Sequence, residues 1–305
     1  MSEADRGLFT PLDRAERAGL KTQTRTIAFW SDVWRRFRGH RAGMAGLVIL
    51  GLFVLLAIIG PSLVRYHYDI IDLNETYIYP GAQHWFGTDV LGRDLWARVW
   101  IGARVSLLIG VVSALSQMVI GTIIGSISGI YGGKVDMILM RFVDILIAVP
   151  FLIWVSLFML VLNPGITSII LAFTVTEWKG TARLVRGEVL RLKETEYVLA
   201  TRGMGASTWR LIQRHFFPNV LPVIIVSVTF QVTGAIFGEA FLSYIGLGIQ
   251  PPVTSWGILI SSGISEMRSY PYMLFIPAVF ISLTMLSLQL IGDALRDATD
   301  PKLRQ

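Results

Sequence analysis

Long runs of uncharged, apolar residues are separated by shorter polar segments along this chain, and most of the runs are about as long as a bilayer is thick. A helix rises about 1.5 Å per residue and the hydrocarbon core is roughly 30 Å thick, so about 20 apolar residues make one crossing. Asn163-Pro164-Gly165 is a turn signal inside the longest apolar stretch and divides it in two. The pattern predicts an all-α transmembrane fold with six membrane-spanning helices. These are residues 44–64, 105–133, 138–162, 166–178, 220–245 and 272–292.

Composition and charge support this prediction. Of the side chains, 53% are hydrophobic and only 16% are charged, against about 25% charged in soluble domains. If the N-terminus is inside, 22 of the 27 Lys and Arg lie in inside segments, as cytoplasmic loops of membrane proteins require. We therefore expect both termini to be cytoplasmic, and the net charge of +6 to reflect topology rather than nucleic-acid binding.

The N-terminal region differs from a secretory leader. Its first 41 residues are polar and lack a short apolar core with a cleavage site. Trp30, Trp34 and Phe37 recur at helical spacing among arginines, which predicts an interfacial elbow helix with its aromatic face in lipid. An extension of the first span is the alternative. We divide the chain into a tail with the elbow helix (1–41), the first span (42–64), an external loop (65–104), a five-span core (105–292) and a cytoplasmic C-terminal tail (293–305).

Two features inside the predicted spans are candidates for function. Gly121, Gly125 and Gly129 recur every four residues, which gives the second span a face that another helix can approach closely. The partner of that face is either within the chain or in another subunit. Glu239 is the acid well inside a span, where a charge costs about 2.5–3.5 kcal/mol unless it is paired or hydrated. A structural carboxylate is the favoured interpretation and a translocation role the alternative.

The basic loop 179–218 inside the core carries the strongest functional signal. It is long, lies on the cytoplasmic side and has the pattern of two short helices separated by a glycine turn. Side-chain caps are expected at the start of each helix, the first of which begins at Glu196. The boundary residues of the two helices are Thr195, Gly203, Gly205, Ser207 and Pro218. Such a knob is suited to receive force from a separate motor protein, and a merely solvated loop is the alternative.

The same loop resembles the EAA loop of permease subunits of ABC importers. The family pattern places a Gly and a Pro at a fixed distance, and Gly205 and Pro218 match that spacing. Leu199-Ala200-Thr201 replaces Glu-Ala-Ala, and His215 stands where the general pattern has Ile. This departure is similar to the peptide-importer branch, in which His-x-x-Pro-Asn occurs.

Three further segments resemble the C-type permease of dipeptide and oligopeptide importers. The first is Phe86-Gly87-Thr88-Asp89-Val90-Leu91-Gly92-Arg93-Asp94, ahead of the second span. The second is Ser243-Tyr244-Ile245-Gly246-Leu247-Gly248, followed by Ser255-Trp256-Gly257, and the third is Gly292-Asp293-Ala294-Leu295-Arg296-Asp297. Without the family, Asp89 and Asp94 are turn residues. Two acids do not fill a Ca²⁺ site of about six to eight oxygens, so no metal site is predicted.

The resemblance implies a permease subunit, not an enzyme, in a bacterial cytoplasmic membrane. It implies a homologous second permease that completes a heterodimeric pore, two cytoplasmic ATPase subunits that bind ATP and Mg, an external peptide-binding protein, and contact with membrane lipid. The chain has no phosphate loop of its own and is expected to bind no cofactor. The residues expected to contact an ATPase subunit are Glu196, Tyr197, Ala200, Gly203, Gly205, Ala206, Ser207 and Pro218.

Oligopeptides are the leading substrates, followed by dipeptides and by nickel or other small solutes that related importers handle. An ion-coupled secondary transporter is the main rival from a different class. Such a protein would show two related halves and mid-membrane charges, and this chain offers only Glu239. A membrane hydrolase would need a motif such as H-E-x-x-H or G-x-S-x-G, and the sequence contains neither.

Overall fold

The computed structural model describes residues 29–300, and the regular elements in that range are all helices. A 3₁₀ turn, Gly60–Leu63, extends the second helix, and a π-helical segment, Ile212–Phe216, joins the ninth to the tenth. In chain order the helices are α1 (Phe29–Gly39), α2 (Arg41–Ile59), α3 (Leu95–Tyr131), α4 (Gly133–Ala148), α5 (Phe151–Leu162), α6 (Ile166–Thr176), α7 (Trp178–Lys193), α8 (Glu196–Gly203), α9 (Thr208–Leu211), α10 (Phe217–Tyr244), α11 (Trp256–Glu266) and α12 (Tyr272–Thr299).

The described helices include four segments long and apolar enough to cross a membrane, or five if one bent pair forms a single span. The four are Arg41–Leu63, Leu95–Tyr131, Thr208–Tyr244 and Tyr272–Thr299. The bent pair is α4 with α5, which meet at 83°. Val149 is extended there because the ring of Pro150 disfavours helical backbone at the preceding residue. The predicted span 138–162 is therefore not one straight helix, and its crossing of the membrane stays a prediction.

The second predicted span begins ten residues too late. The helix α3 starts at Leu95 because the Asp94 carboxylate accepts a bond from the amide of Ala97 at 2.8 Å, which caps the first turn. Arg98 lies inside α3, buried, with its Nε 3.5 Å from Asp89 Oδ2. The prediction started the span at residue 105 because Arg98 and Arg104 interrupt the uncharged run before it. The external loop predicted to run to residue 104 thus ends at Asp94.

Other boundaries also differ from the predictions. The predicted fourth span corresponds to α6, whose 11 residues reach only about 16 Å. The helix α12 continues to Thr299, so the predicted tail from residue 293 is largely helical. The helix α11 was not predicted, although Ser255 caps it through the amide of Ile258 at 3.2 Å. A cap followed by an apolar run was the signal for it.

At the N-terminal end, α1 and α2 are separate helices. His40 interrupts them with extended backbone, and its Nδ1 accepts a bond from the amide of Gly43 at 3.1 Å. The first helix is therefore no extension of the first span. The prediction that Phe37 belongs to its lipid-facing side is wrong, because Phe37 is buried with Val33 against Ala294 of α12. Trp30 and Trp34 are exposed. The position of α1 in the membrane interface stays a prediction.

The helices α2, α3, α11 and α12 meet in an aromatic core at the end of the fold that carries the 65–94 loop. Trp100 and Trp256 are fully buried there, and the Trp100 ring packs edge-on against Phe280 at 4.9 Å. Trp256 Nε1 donates to the carbonyl of Val99 at 3.1 Å. This core fixes one half of α3, and the opposite half of α3 supports the segment described next.

Candidate functional site

The first helix of the predicted loop begins at Glu196 as expected, but its cap and its C-terminal end differ from the prediction. Thr195 has the extended backbone of a cap, yet its hydroxyl donates to the carbonyl of Leu192 at 2.6 Å rather than accepting from α8. The prediction of a Thr195 side-chain cap is therefore wrong. The helix also includes Gly203, which does not break it. The chain reverses at Gly205, whose φ of +82° lies in the left-handed region that favours glycine.

The second helix is capped as predicted and then continues much further. Ser207 Oγ accepts a bond from the amide of Arg210 at 3.4 Å, which confirms the cap. The π-helical segment follows α9 without a break and leads into α10, so the helix does not end at Pro218. Helical structure runs from Thr208 to Tyr244, which is 37 residues. The second half of the predicted loop is thus continuous with a helix that is long and apolar enough to cross a membrane.

We call α8, the turn 204–207 and α9 together the knob. Its outer surface is exposed and unusually apolar for a basic segment. Met204 is 81% exposed and Trp209 is 65% exposed, and Tyr197 and Leu199 are exposed beside them. Large apolar side chains grouped on a surface indicate an interaction site. Of the predicted contact residues, six are exposed on the knob, Ala206 is half-buried and Pro218 is exposed on α10. The six are Glu196, Tyr197, Ala200, Gly203, Gly205 and Ser207.

The inner side of the knob is attached to α7 by apolar contacts. Val198 of α8 and Leu211 of α9 are buried in one cluster with Phe216. Val189 and Leu192 of α7 belong to the same cluster. Burying each such side chain contributes about 1.5–3 kcal/mol. The knob is therefore packed against α7 and not joined to it by a linker alone. The sequence analysis did not identify these anchor residues.

The glycine stripe of α3 receives α7 directly. A Cβ at Gly121 would lie 2.5 Å from Thr181 Cβ, and one at Gly129 would lie 2.9 Å from Val189 Cβ. A Cβ at Gly125 would overlap the carbonyl oxygen of Ala182. The structure thus places the stripe against a helix of the same chain. The two backbones approach so closely that no side chain fits between them at these positions.

Polar contacts strengthen the same attachment. Two of the guanidinium nitrogens of Arg186, Nε and Nη2, donate to the Asp136 carboxylate of α4, at 2.5 and 2.6 Å. This hydrogen-bonded carboxylate raises the pKa of Arg186 above its ordinary value. Lys193 Nζ donates to the carbonyls of Gly129 and Ile130, each at 3.0 Å, at the end of α3 where cations are favoured. These bonds fix α7 to both neighbouring helices.

Glu239 lies far from the knob, near the other end of α10. It is 0% exposed and accepts hydrogen bonds from Ser106, Ser243 and Ser255 at 3.0, 2.9 and 2.6 Å. These serines belong to α3, to α10 itself and to the cap of α11. The carboxylate therefore joins three elements through bonds that satisfy it, the arrangement expected for the structural interpretation.

Replacing Glu239 by leucine is expected to leave three buried hydroxyls without their acceptor. Each such loss costs about 1–3 kcal/mol, so the free energy of unfolding should fall by about 3 kcal/mol or more. Glu239→Gln keeps an acceptor and should lose less. Thermal unfolding in detergent measures both. A Glu239→Gln protein that melts like the unmodified chain but no longer transports would instead favour the translocation role.

Comparison with known proteins now identifies the class. The model of the family "Binding-protein-dependent transport system inner membrane component" matches residues 121–305, and that of the "N-terminal TM domain of oligopeptide transport permease C" matches residues 28–80. The chain belongs to the family of binding-protein-dependent inner membrane components, the permease subunits of ABC importers. It is a multi-pass inner-membrane transport subunit and not an enzyme, because ATP hydrolysis in such importers is carried out by separate subunits.

The particular relatives lie in the peptide branch. The chain is 46% identical over 305 residues to the oligopeptide transport system permease protein OppC of Bacillus subtilis, and covers 100% of both chains. It is 46% identical over 281 residues to the dipeptide permease DppC of the same organism, over 92% of this chain and 88% of that protein. These relatives confirm the resemblance inferred from the loop and external motifs.

Solved structures support the fold independently. The inward-facing MetNI methionine ABC transporter contains a chain similar to this one with a TM-score of 0.53, at 21% identity, over 67% of this chain and 95% of that chain. At this identity the likeness concerns the fold alone.

Proposed function

We propose that the chain forms half of the translocation pore of an ATP-driven oligopeptide importer. The observation that carries this proposal is the full-length 46% identity to a protein named as an oligopeptide permease. The exposed apolar knob supports the same assignment, because a pore subunit without its own ATP site needs a surface that a motor can contact. The second candidate substrates are dipeptides, and nickel or other small solutes. The similarity to a dipeptide permease favours dipeptides among them.

The proposed assembly contains a homologous second permease, two ATPase subunits that bind ATP and Mg, and an external peptide-binding protein. The knob is the proposed contact with an ATPase subunit, through Tyr197, Ala200, Gly203, Gly205 and Ala206, flanked by Glu196, Ser207 and Pro218. Small side chains and bare backbone at this surface allow close seating in a groove, and Met204 and Trp209 add apolar area to the contact.

Force is proposed to pass from the knob to the spans along the contacts described above. Val198 and Leu211 connect the knob to α7, and the glycine stripe connects α7 to α3. Because both contacts are tight, closure of the ATPase subunits would move these helices together. The pore would then change from inward to outward opening as a rigid-body movement.

For the topology we propose six crossings with both termini in the cytoplasm. The bent pair α4–α5 would be the third crossing, and α6 with the beginning of α7 the fourth. The knob then lies on the cytoplasmic side, as does α1, and the 65–94 loop lies outside. The predominance of cations in the segments placed inside supports this arrangement.

Reconstitution of the whole complex in liposomes tests the proposed function. We expect uptake of peptides to require ATP and to persist when ion gradients are collapsed, with ATPase activity stimulated by peptides supplied through the external binding protein. Peptides of two to six residues would be compared with nickel in the same vesicles. Uptake that follows an ion gradient and ignores ATP would contradict the proposal. If only dipeptides or only nickel stimulated the ATPase activity, that solute would replace oligopeptides as the proposed substrate.

A further inference from the structure

A polar cavity of about 350 Å³ lies between α3, α6, α7 and α10. This volume falls within the range of small-molecule sites, about 300–1,000 Å³. Polar side chains from three of these helices and from the residue between α6 and α7 line it: Gln117, Glu177, Thr181, Ser227 and Gln231. Gln231 is the fifteenth of the 28 residues of α10, and so lies about 21 Å from the start of that helix. We call this the mid-span cavity.

Gln231 holds two hydroxyl groups of the mid-span cavity in place. The Gln231 amide nitrogen donates to Thr181 Oγ1 at 2.9 Å and to Ser227 Oγ at 2.7 Å. The Gln231 Oε1 oxygen is buried, with almost no accessible surface, so a molecule in the cavity does not reach it. The second amide of the lining is Gln117 of α3.

The charges at the mid-span cavity compensate each other. Glu177 is the acid in its lining, and its Oε1 lies 2.7 Å from Lys179 Nζ. The remaining polar lining is made of amides and hydroxyls. Such a surface offers donors and acceptors without net charge, which suits neutral amides better than metal ions or other ions.

A larger cavity of about 850 Å³ at the knob end does not offer the same chemistry. Its lining is mainly apolar, with Phe217, Pro222 and Phe230 of α10, and it carries the cations Arg191 and Arg296. It therefore lacks the neutral amide pair that distinguishes the mid-span cavity.

We propose that the mid-span cavity is a binding station for the backbone of a peptide on its way through the pore. The Gln117 amide would donate to a peptide carbonyl and accept a peptide N–H. A site that binds backbone amides accepts many side chains, in keeping with a permissive pore. This inference rests on the proposed function and adds to it a place and a chemical class of contact.

Two glycines provide a test with a matched control. Gly234 lines the cavity, and a Cβ there would meet nothing within 4 Å, so a side chain can start from this position and take up space in the cavity. Gly51 on α2 is also exposed, a Cβ there would likewise meet nothing within 4 Å, and it is not part of the lining. In the reconstituted complex we expect Gly234→Leu to lower tri-alanine uptake at least tenfold and Gly51→Leu to change it less than twofold. Gln117→Leu, nearly the same size, should lower uptake about fivefold.

A direct binding readout uses the absence of cysteine from the chain. Gly234→Cys and Gly51→Cys each introduce a single thiol, and modification by a maleimide is measured on this subunit by mass. Tri-alanine should slow the labelling of position 234 and leave that of position 51 unchanged. Equal labelling of position 234 with and without peptide, or normal uptake by Gly234→Leu, would overturn the inference. So would failed assembly of Gly234→Leu together with unprotected Gly234→Cys, which would make the cavity a subunit-packing face. If the unmodified complex shows no ATP-dependent uptake, the proposed function itself fails.

Discussion

Replacing Gly205 by valine is expected to lower ATP-driven peptide uptake about tenfold while the chain still inserts and the complex still hydrolyses ATP. Gly205 has a φ of +82°, a conformation that a β-branched residue adopts only at a cost of about 1–3 kcal/mol. A change of one or two kcal/mol alters a conformational ratio by a factor of about 5–30. The ratio of native to other conformations of the turn between α8 and α9 would therefore fall by about that factor, which would weaken the proposed contact of the knob with an ATPase subunit.

The ratio of peptide transported to ATP hydrolysed measures this effect. Gly205→Asn is the first control, because asparagine tolerates the left-handed region better than valine and should retain more coupling. Gly165→Val is the second, since that loop glycine is extended, with a φ of 170°, and a Cβ there meets nothing within 4 Å. Unchanged uptake by the Gly205→Val complex would eliminate the proposed role of the turn in coupling.

Gly125 is the position in the glycine stripe of α3 at which a single methyl group should damage packing most. Its Cβ would overlap the backbone carbonyl of Ala182, which cannot rotate away as a side chain could. Overpacking usually costs about 1–3 kcal/mol, so Gly125→Ala should lower the melting temperature in detergent. Gly125→Leu would separate α3 from α7 and should yield no folded protein.

Gly187 is the matched control for that substitution. It is an exposed glycine of α7 with nothing within 4 Å of its Cβ. Gly187→Ala should leave the melting temperature unchanged or raise it, because alanine favours a helix by up to about 1 kcal/mol. Similar melting temperatures for Gly125→Ala and Gly187→Ala would mean that the α3–α7 contact tolerates expansion.

Apolar length predicted the existence of the main spans but not their ends. The rule that a span is uncharged removed the first turns of α3, because Arg98 and Arg104 lie there. Their charges are accommodated by partners that are distant in sequence. Arg104 Nη2 donates to the carbonyl of Ile58 at 2.8 Å, and Arg98 contacts Asp89. Such contacts depend on the tertiary structure and leave no local pattern in the sequence.

The candidate site shows the same division between local and tertiary information. The Ser207 cap and the Gly205 turn were predictable because each depends on a residue and its immediate neighbours. The glycine stripe was predictable as a packing face, but its partner was not, because the same spacing serves contacts within and between chains. The Thr195 cap failed since its hydroxyl found a competing acceptor in the carbonyl of Leu192, one turn earlier.

The uninterrupted helix from Thr208 to Tyr244 is about 55 Å long and can be regarded as a lever with two unequal arms. If the three serine bonds hold it at Glu239, that residue is the pivot. Gln231 then lies about 12 Å from the pivot and Trp209 about 45 Å from it. A stroke applied at the knob would reach the middle of the membrane reduced to roughly a quarter. A movement of several ångströms at the knob would thus become a smaller displacement with a larger force beside the mid-span cavity.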